Sequence, residues 1–262
     1  MPGMLYFYYR IIFISFILYS INLFAPPKNF TGGENDFLSS QIELKTPEED
    51  RVQILSAVLS EKGSKYSLQL LEAFEGERLW SFHRNIAFLR KMNFISKIPE
   101  SKAFQLESEI FKKNTGYSYR SSFMLHSYFE VPSRESIFFK PESAIRFEKG
   151  LPVKIFGWVF SNEYDISLEL VLSQKFHQNI HISLGKLSFK GWKRIETVVQ
   201  LDKKSKLLIE RKGLYPEVKG FLLKPGKQQK KGAFFIYLDQ FSVLLDKAYM
   251  NYPGSEIRDN WR

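Results

Sequence analysis

The 262-residue chain carries 38 Lys and Arg against 28 Asp and Glu, a formal net charge of +10, so an acidic partner or surface is expected. The absence of cysteine excludes disulfides, Cys-ligated zinc, thiol catalysis and an N-terminal lipidated cysteine. With 44% hydrophobic and 16% aromatic residues, the chain can bury one substantial core and suits strands and protein interfaces. No nucleic-acid-binding motif accompanies the basic charge, and nucleic acid is not an expected partner.

Arg10 precedes a mostly apolar run over residues 11–25, the layout of a secretory signal peptide. The run is short against the roughly 20 residues of a membrane span. Residues 5–9 could lengthen it, so a retained anchor is the alternative, and no stable span is expected after cleavage. Ala25 is a suitable small residue for cleavage, but Pro26 follows it, and Ser20 is a second candidate. Residues 26–63 read as a linker and a capped helix. Thr31-Gly32-Gly33 marks the linker; Thr46 is the N-cap, Pro47 takes the first helical position and Glu49 completes a capping box. Val52, Leu55, Val58 and Leu59 form its apolar stripe, and Gly63 ends it.

Residues 64–262 are expected to form one β domain. Its first part is ambiguous: Leu68, Leu70 and Phe74 fit either period, and Trp80 to Phe82 with residues 86–89 open the sandwich or form a second helix. Residues 102–113, with Phe104, Leu106, Ile110 and Phe111, read as an amphipathic strand or helix. From residue 117 the pattern is all β, with strands over 117–130, 136–139 and 144–147. At least four more fall within 150–200, cut by turn signals at Ser161-Asn162, 174–179, Gly185 and Gly191. Strands over 198–201, 207–210, 218–223 and 233–245 complete the series. Ile166, Leu168, Leu170 and Leu172 alternate, so one face is core and Asp165, Ser167 and Glu169 face water. The expected fold is mainly β: an antiparallel jelly-roll-like β-sandwich with one or two short helices.

Few residues suggest chemistry. Glu163, Asp165 and Glu169 approach the spacing of laminarinase-type glycosidases, whose two carboxyls stand about 5–5.5 Å apart. The step from Asp165 to Glu169 is one residue too long, and strand alternation already explains these acids. His177 and His181 would meet as metal ligands on a helix, but Ile180, Ile182 and Leu184 read as a strand, which separates them by roughly 13 Å. His83 and His126 have no partner in the pattern. No phosphate loop, nucleophile elbow or dinucleotide fingerprint occurs. An enzyme, a cofactor and a bound metal are therefore not expected.

The basic clusters are Lys186, Lys190, Lys193 and Arg194; Lys203, Lys204 and Lys206; and Lys224, Lys227, Lys230 and Lys231 in a hairpin-like loop. The last group is the candidate contact to an acidic partner. Trp192, Tyr215, Tyr237, Tyr249, Tyr252 and Trp261 read as exposed aromatics, with Trp192, Tyr237, Tyr252 and Trp261 the interface candidates. Pro253-Gly254 would turn the tail back on its domain.

Gly157-Trp158-Val159, Tyr164, the stretch GKLSFKGWKRI over 185–195, FFIYLDQFSVLLD over 234–246 and YPGSEIRDNW over 252–261 occur in that order. From about residue 122 onward the chain thereby resembles the FlaA family, the outer-layer or sheath proteins of spirochaete periplasmic flagellar filaments. The resemblance implies a non-enzymatic periplasmic protein that coats the flagellin core. It also implies contact with other sheath proteins, higher-order assembly, and a part in filament curvature, stiffness and motility. The alternative within the same fold class is a secreted or anchored carbohydrate-binding module.

Overall fold

The computed structural model describes residues 51–53, 55–56, 65–82, 89–116, 118–129 and 136–248. The apolar run over 11–25, the linker, the N-cap at Thr46, His83 and the tail with Tyr249, Tyr252 and Trp261 lie outside the described residues. Among the described residues no helix is long and apolar enough to cross a membrane.

Twelve strands are described: β1 (Tyr66–Glu72), β2 (Trp80–Phe82), β3 (Leu89–Ile95), β4 (Ser122–Phe129), β5 (Ile137–Pro141), β6 (Ile145–Arg146), β7 (Leu151–Asn162), β8 (Ile166–Ser173), β9 (Ile180–Lys186), β10 (Lys190–Val198), β11 (Glu217–Pro225) and β12 (Gly232–Asp246). One sheet runs β10-β7-β12-β4-β3, with β1 also on β12; the other runs β2-β5-β11-β8-β9, with β6 also on β11. All pairings are antiparallel. The protein is an antiparallel β-sandwich, as the alternation predicts.

Apolar side chains of both inner faces meet between the sheets. Ile166, Leu168, Leu170 and Leu172 of β8 are all buried, which confirms the inward face. Phe74, Trp80, Phe123, Phe139, Phe221 and Phe241 form an aromatic centre, with Phe221 and Phe241 at 4.9 Å between centroids in an edge-to-face pair.

Helices α1 (Lys102–Thr115) and α2 (Lys203–Lys212) interrupt the strands. The ambiguous segment 102–113 is α1: Ser101 caps it by accepting the Phe104 N–H, and Gly116 closes it with φ 75°. The strand expected over 207–210 is instead part of α2. Leu207, Leu208 and Ile209 are a short apolar run that fits either structure, and the caps decide it. Asp202 accepts the Ser205 N–H at 2.9 Å, and Gly213 ends the helix with φ 61°. Ser205, Leu208 and Ile209 then bury one helical face.

The first part of the domain, open between strand and helix in the sequence, is β1, β2 and β3 wherever it is described. Three further expectations are corrected. β4 begins at Ser122 rather than 117, and the strand expected over 198–201 is absent, because β10 ends at Val198 and the chain then leads into the Asp202 cap of α2. The chain does not turn at Ser161-Asn162, which lie in β7, but just beyond at Glu163, with φ 58°.

Candidate functional site

The solvent face of β8 is also more occupied than alternation implies. Asp165, Ser167 and Glu169 are half-buried. Glu169 accepts from Lys224 Nζ at 2.6 Å and lies 3.0 Å from His181 Nδ1. Asp165 organises the basic loop that follows β11. Its carbonyl accepts the Gly226 N–H at 2.6 Å, and its Oδ2 accepts the Gln228 N–H at 2.7 Å. A Cβ at Gly226 would lie 2.2 Å from Asp165 Oδ2, so only glycine permits this approach. A carboxylate thus anchors a run of lysines by its backbone.

The anchored loop and the β7–β8 turn enclose a polar cleft of about 600 Å³. Lys186, Lys230 and Lys231 supply three cations to its lining, and Glu163 and Asp165 two acids. Lys227, Lys230 and Lys231 are exposed, whereas Lys224 is half-buried and bound to Glu169. The loop proposed from sequence therefore splits: three lysines are free to meet a partner, and Lys224 ties β11 to β8 through Glu169. Lys186, from a different basic cluster, joins the cleft through the fold.

On the outer face of the first sheet, Phe160, Trp192, Phe235 and Tyr237 form a second cluster. Their centroids are 5.0 Å apart for Phe160–Tyr237 and 6.0 Å for Trp192–Tyr237, and Lys97 Nζ lies 5.3 Å above the Phe160 ring. Tyr237 and Trp192 are not the freely exposed aromatics expected: Tyr237 is buried and Trp192 half-buried, because neighbouring strands stack rings over one another. Burial, reinforced by Tyr164, pushes the Tyr237 phenol up.

Beside this cluster α1 docks on the same face through Val52, Ala103, Phe104 and Trp158. Trp158 Nε1 donates to Glu107 Oε2 at 2.7 Å, and Arg194 Nε donates to Glu107 Oε1 at 2.7 Å. Arg194 also stacks on Phe156 and bonds Glu196 at 2.8 Å. Burial opposes the charge of Arg194, but Glu107 and Glu196 outweigh it and raise its pKa. The sequence reading missed this buried carboxylate. Its signal was an acid at position 107 on the stripe formed by Ala103, Phe104, Ile110 and Phe111.

The residues weighed for chemistry have other partners. His177 Nε2 lies 3.0 Å from Asp202, and His181 lies beside Glu169. Among the described residues no three His, Cys, Asp or Glu side chains gather around a common point.

The fold defines an antiparallel β-sandwich with a cationic loop and an outer aromatic face. The chain belongs to the flagellar filament outer layer protein family, FlaA, which matches residues 114–252. No curated protein matches the sequence. Solved structures with similar folds include TmCBM61 in complex with β-1,4-galactotriose, at 11% identity and TM-score 0.35 over 68% of this chain and 99% of that one. A family 11 carbohydrate-binding module from Clostridium thermocellum shows 11% identity and TM-score 0.41 over 67% and 94%. A family 29 module from Piromyces equi shows 9% identity and TM-score 0.34 over 69% and 91%.

Proposed function

We propose that this protein is a structural, non-enzymatic coat of the periplasmic flagellar filament, which binds the flagellin core and neighbouring sheath subunits and so affects curvature, stiffness and motility. In this reading residues 1–25 direct export, residues 26–63 form a linker and a capped helix, and residues 64–262 form the coat domain. The observation that carries it is the lysine loop, held outward by Asp165 in a chain of the outer layer family. Lys227, Lys230 and Lys231, with Lys186 beside them, meet an acidic strip of the filament. Each exposed charge pair is worth only about 0–1 kcal/mol and is screened beyond about 8 Å at physiological salt. Repetition along a filament turns such contacts into stable attachment by avidity.

The test is occupancy on detergent-extracted, sheared periplasmic flagella. The protein should copurify with them, and its attachment should weaken as salt is raised. Changing Lys227→Glu, Lys230→Glu and Lys231→Glu together should leave the monomer folded but release it. Unchanged occupancy of this variant across a salt series would remove the loop from the interface; absence of the normal protein from filaments would overturn the function. A second reading, glycan binding, is favoured by the Phe160, Trp192, Phe235 and Tyr237 rings gathered on the outer face of the first sheet. Retention on immobilised glycans, lost in Trp192→Ala, would support it instead.

A further inference from the structure

β12 is bordered on one side by two strands in succession. β4 pairs with it from Gly232 to Leu238, and β1 from Phe241 to Asp246. The gap between them falls at Asp239 and Gln240, where β12 bulges away from its register with β7 and Gln240 takes φ 46°. Three other segments end at this gap. β1 runs into Phe74-Glu75, with Phe74 at φ 59°; β4 begins at Ser122; and Lys97 follows the end of β3, whose Ile95 pairs with Ser122. Left-handed backbone at two bulky or polar residues facing one gap is strain that the surroundings must hold in place.

The gap is crowded with oxygen and short of hydrogen. Ser122 Oγ lies 2.5 Å from the Lys97 carbonyl and 2.7 Å from Asp239 Oδ2. Ser121 Oγ lies 3.1 Å from the Phe74 carbonyl and 3.2 Å from Glu75 Oε2. Two hydroxyl protons thus face four acceptors. Asp239 is wholly buried, and among the described residues its Oδ1 has no partner, nor has either polar atom of the Gln240 side chain. Among the described residues no Lys or Arg side chain bonds Asp239, while nearby Glu72 is already neutralised by Arg78 at 2.6 Å. Burial, with the charge of Glu75 adding, pushes the Asp239 carboxyl well above its usual range. The Ser122 hydroxyl and the Gln240 N–H oppose that rise but do not overcome it, so a proton or a cation would relieve the buried carboxylate.

We propose that the carboxylates of Glu75 and Asp239 and the main-chain carbonyls of Phe74 and Lys97 form a binding site for a hard divalent cation, calcium by preference. Two carboxylates and two carbonyls are the oxygen donors that calcium takes, at about 2.3–2.6 Å and with six to eight ligands, water completing the shell. Magnesium, which demands near-ideal octahedral geometry, suits this irregular set less well. Glu75 is pre-oriented, because its Oε1 accepts the N–H groups of Arg120 and Ser121 and leaves Oε2 toward the gap. Glu75 is only partly buried, which provides access from solvent. A cation here ties β1, β3, β4 and β12 at the point where their pairing is interrupted.

The test uses the full chain stripped with a chelator and followed by thermal unfolding and calorimetric titration at pH 7.5. Calcium chloride should raise the melting midpoint by several degrees in a saturable way, magnesium should do so less, and chelator should reverse it. Asp239→Asn, which keeps the shape without the charge, should lose the calcium response, and Glu75→Gln should weaken it at least tenfold. Glu163→Gln, in the lysine cleft, should respond like the normal protein. Should Asp239→Asn fail to fold, the titration of the normal protein still decides. The proposal is overturned if calcium neither binds nor shifts the midpoint of the stripped normal protein, which would mean that Asp239 is simply held protonated.

Discussion

Glu107→Ala probes the clamp between α1 and the first sheet. The carboxylate holds the Trp158 indole N–H at 2.7 Å and Arg194 at 2.7 Å, and both Glu107 and Arg194 side chains are under one-tenth exposed. Removing one partner of a buried ion pair costs about 3–5 kcal/mol. Arg194 keeps Glu196 and its stack on Phe156, which reduces that loss, whereas the stranded indole N–H adds about 1–3 kcal/mol. The net expectation is about 3–5 kcal/mol. With a urea slope of about 3 kcal/mol per molar, the unfolding midpoint should fall by roughly 1–1.7 M. Tryptophan fluorescence, to which Trp158 contributes with Trp80, Trp192 and Trp261, reports the transition. Glu107→Gln, which retains one acceptor, should fall between the two. A loss below about 1 kcal/mol would show that Val52, Ala103 and Phe104 hold the helix by apolar contact alone, and would refute the clamp.

Gly157 lies in β7 above Phe241, and a Cβ there would stand 2.7 Å from three ring atoms. Phe241 cannot yield, because it is packed edge-on against Phe221, so Gly157→Ala should cost about 1–3 kcal/mol in thermal unfolding; an unchanged midpoint would contradict this packing. Burial raises the Glu169 pKa, but the hydrogen bonds and charges of Lys224 and His181 outweigh it and hold the carboxyl below its usual 4.5. Its contribution is therefore present above that value and lost as pH falls through the depressed pKa. Glu169→Ala should cost about 1 kcal/mol at neutral pH, and the gap to the normal protein should close in acid. A cost that persists unchanged in acid would mean that packing, not charge, is what Glu169 supplies.

Local patterns in the sequence determined much of the sandwich. Alternation in β8 identified the buried face, because a strand repeats every two residues whatever it pairs with. The Asp-Gln strand and the glycine-tryptophan segments likewise sufficed to suggest the FlaA family. Residues 207–209 were not legible, since three consecutive apolar residues carry no period, and the Asp202 cap decided for a helix. The lysine loop was visible as charge, but its anchorage by Asp165 and its meeting with Lys186 depend on β8 pairing with β11 and β9. Glu107, Trp158 and Arg194 are separated by dozens of residues, as are Glu75 and Asp239. Only the tertiary structure brings each set together. Sheet order, strand bulges and helix docking are long-range choices of packing and hydrogen bonding, and they decide which polar groups share a buried space.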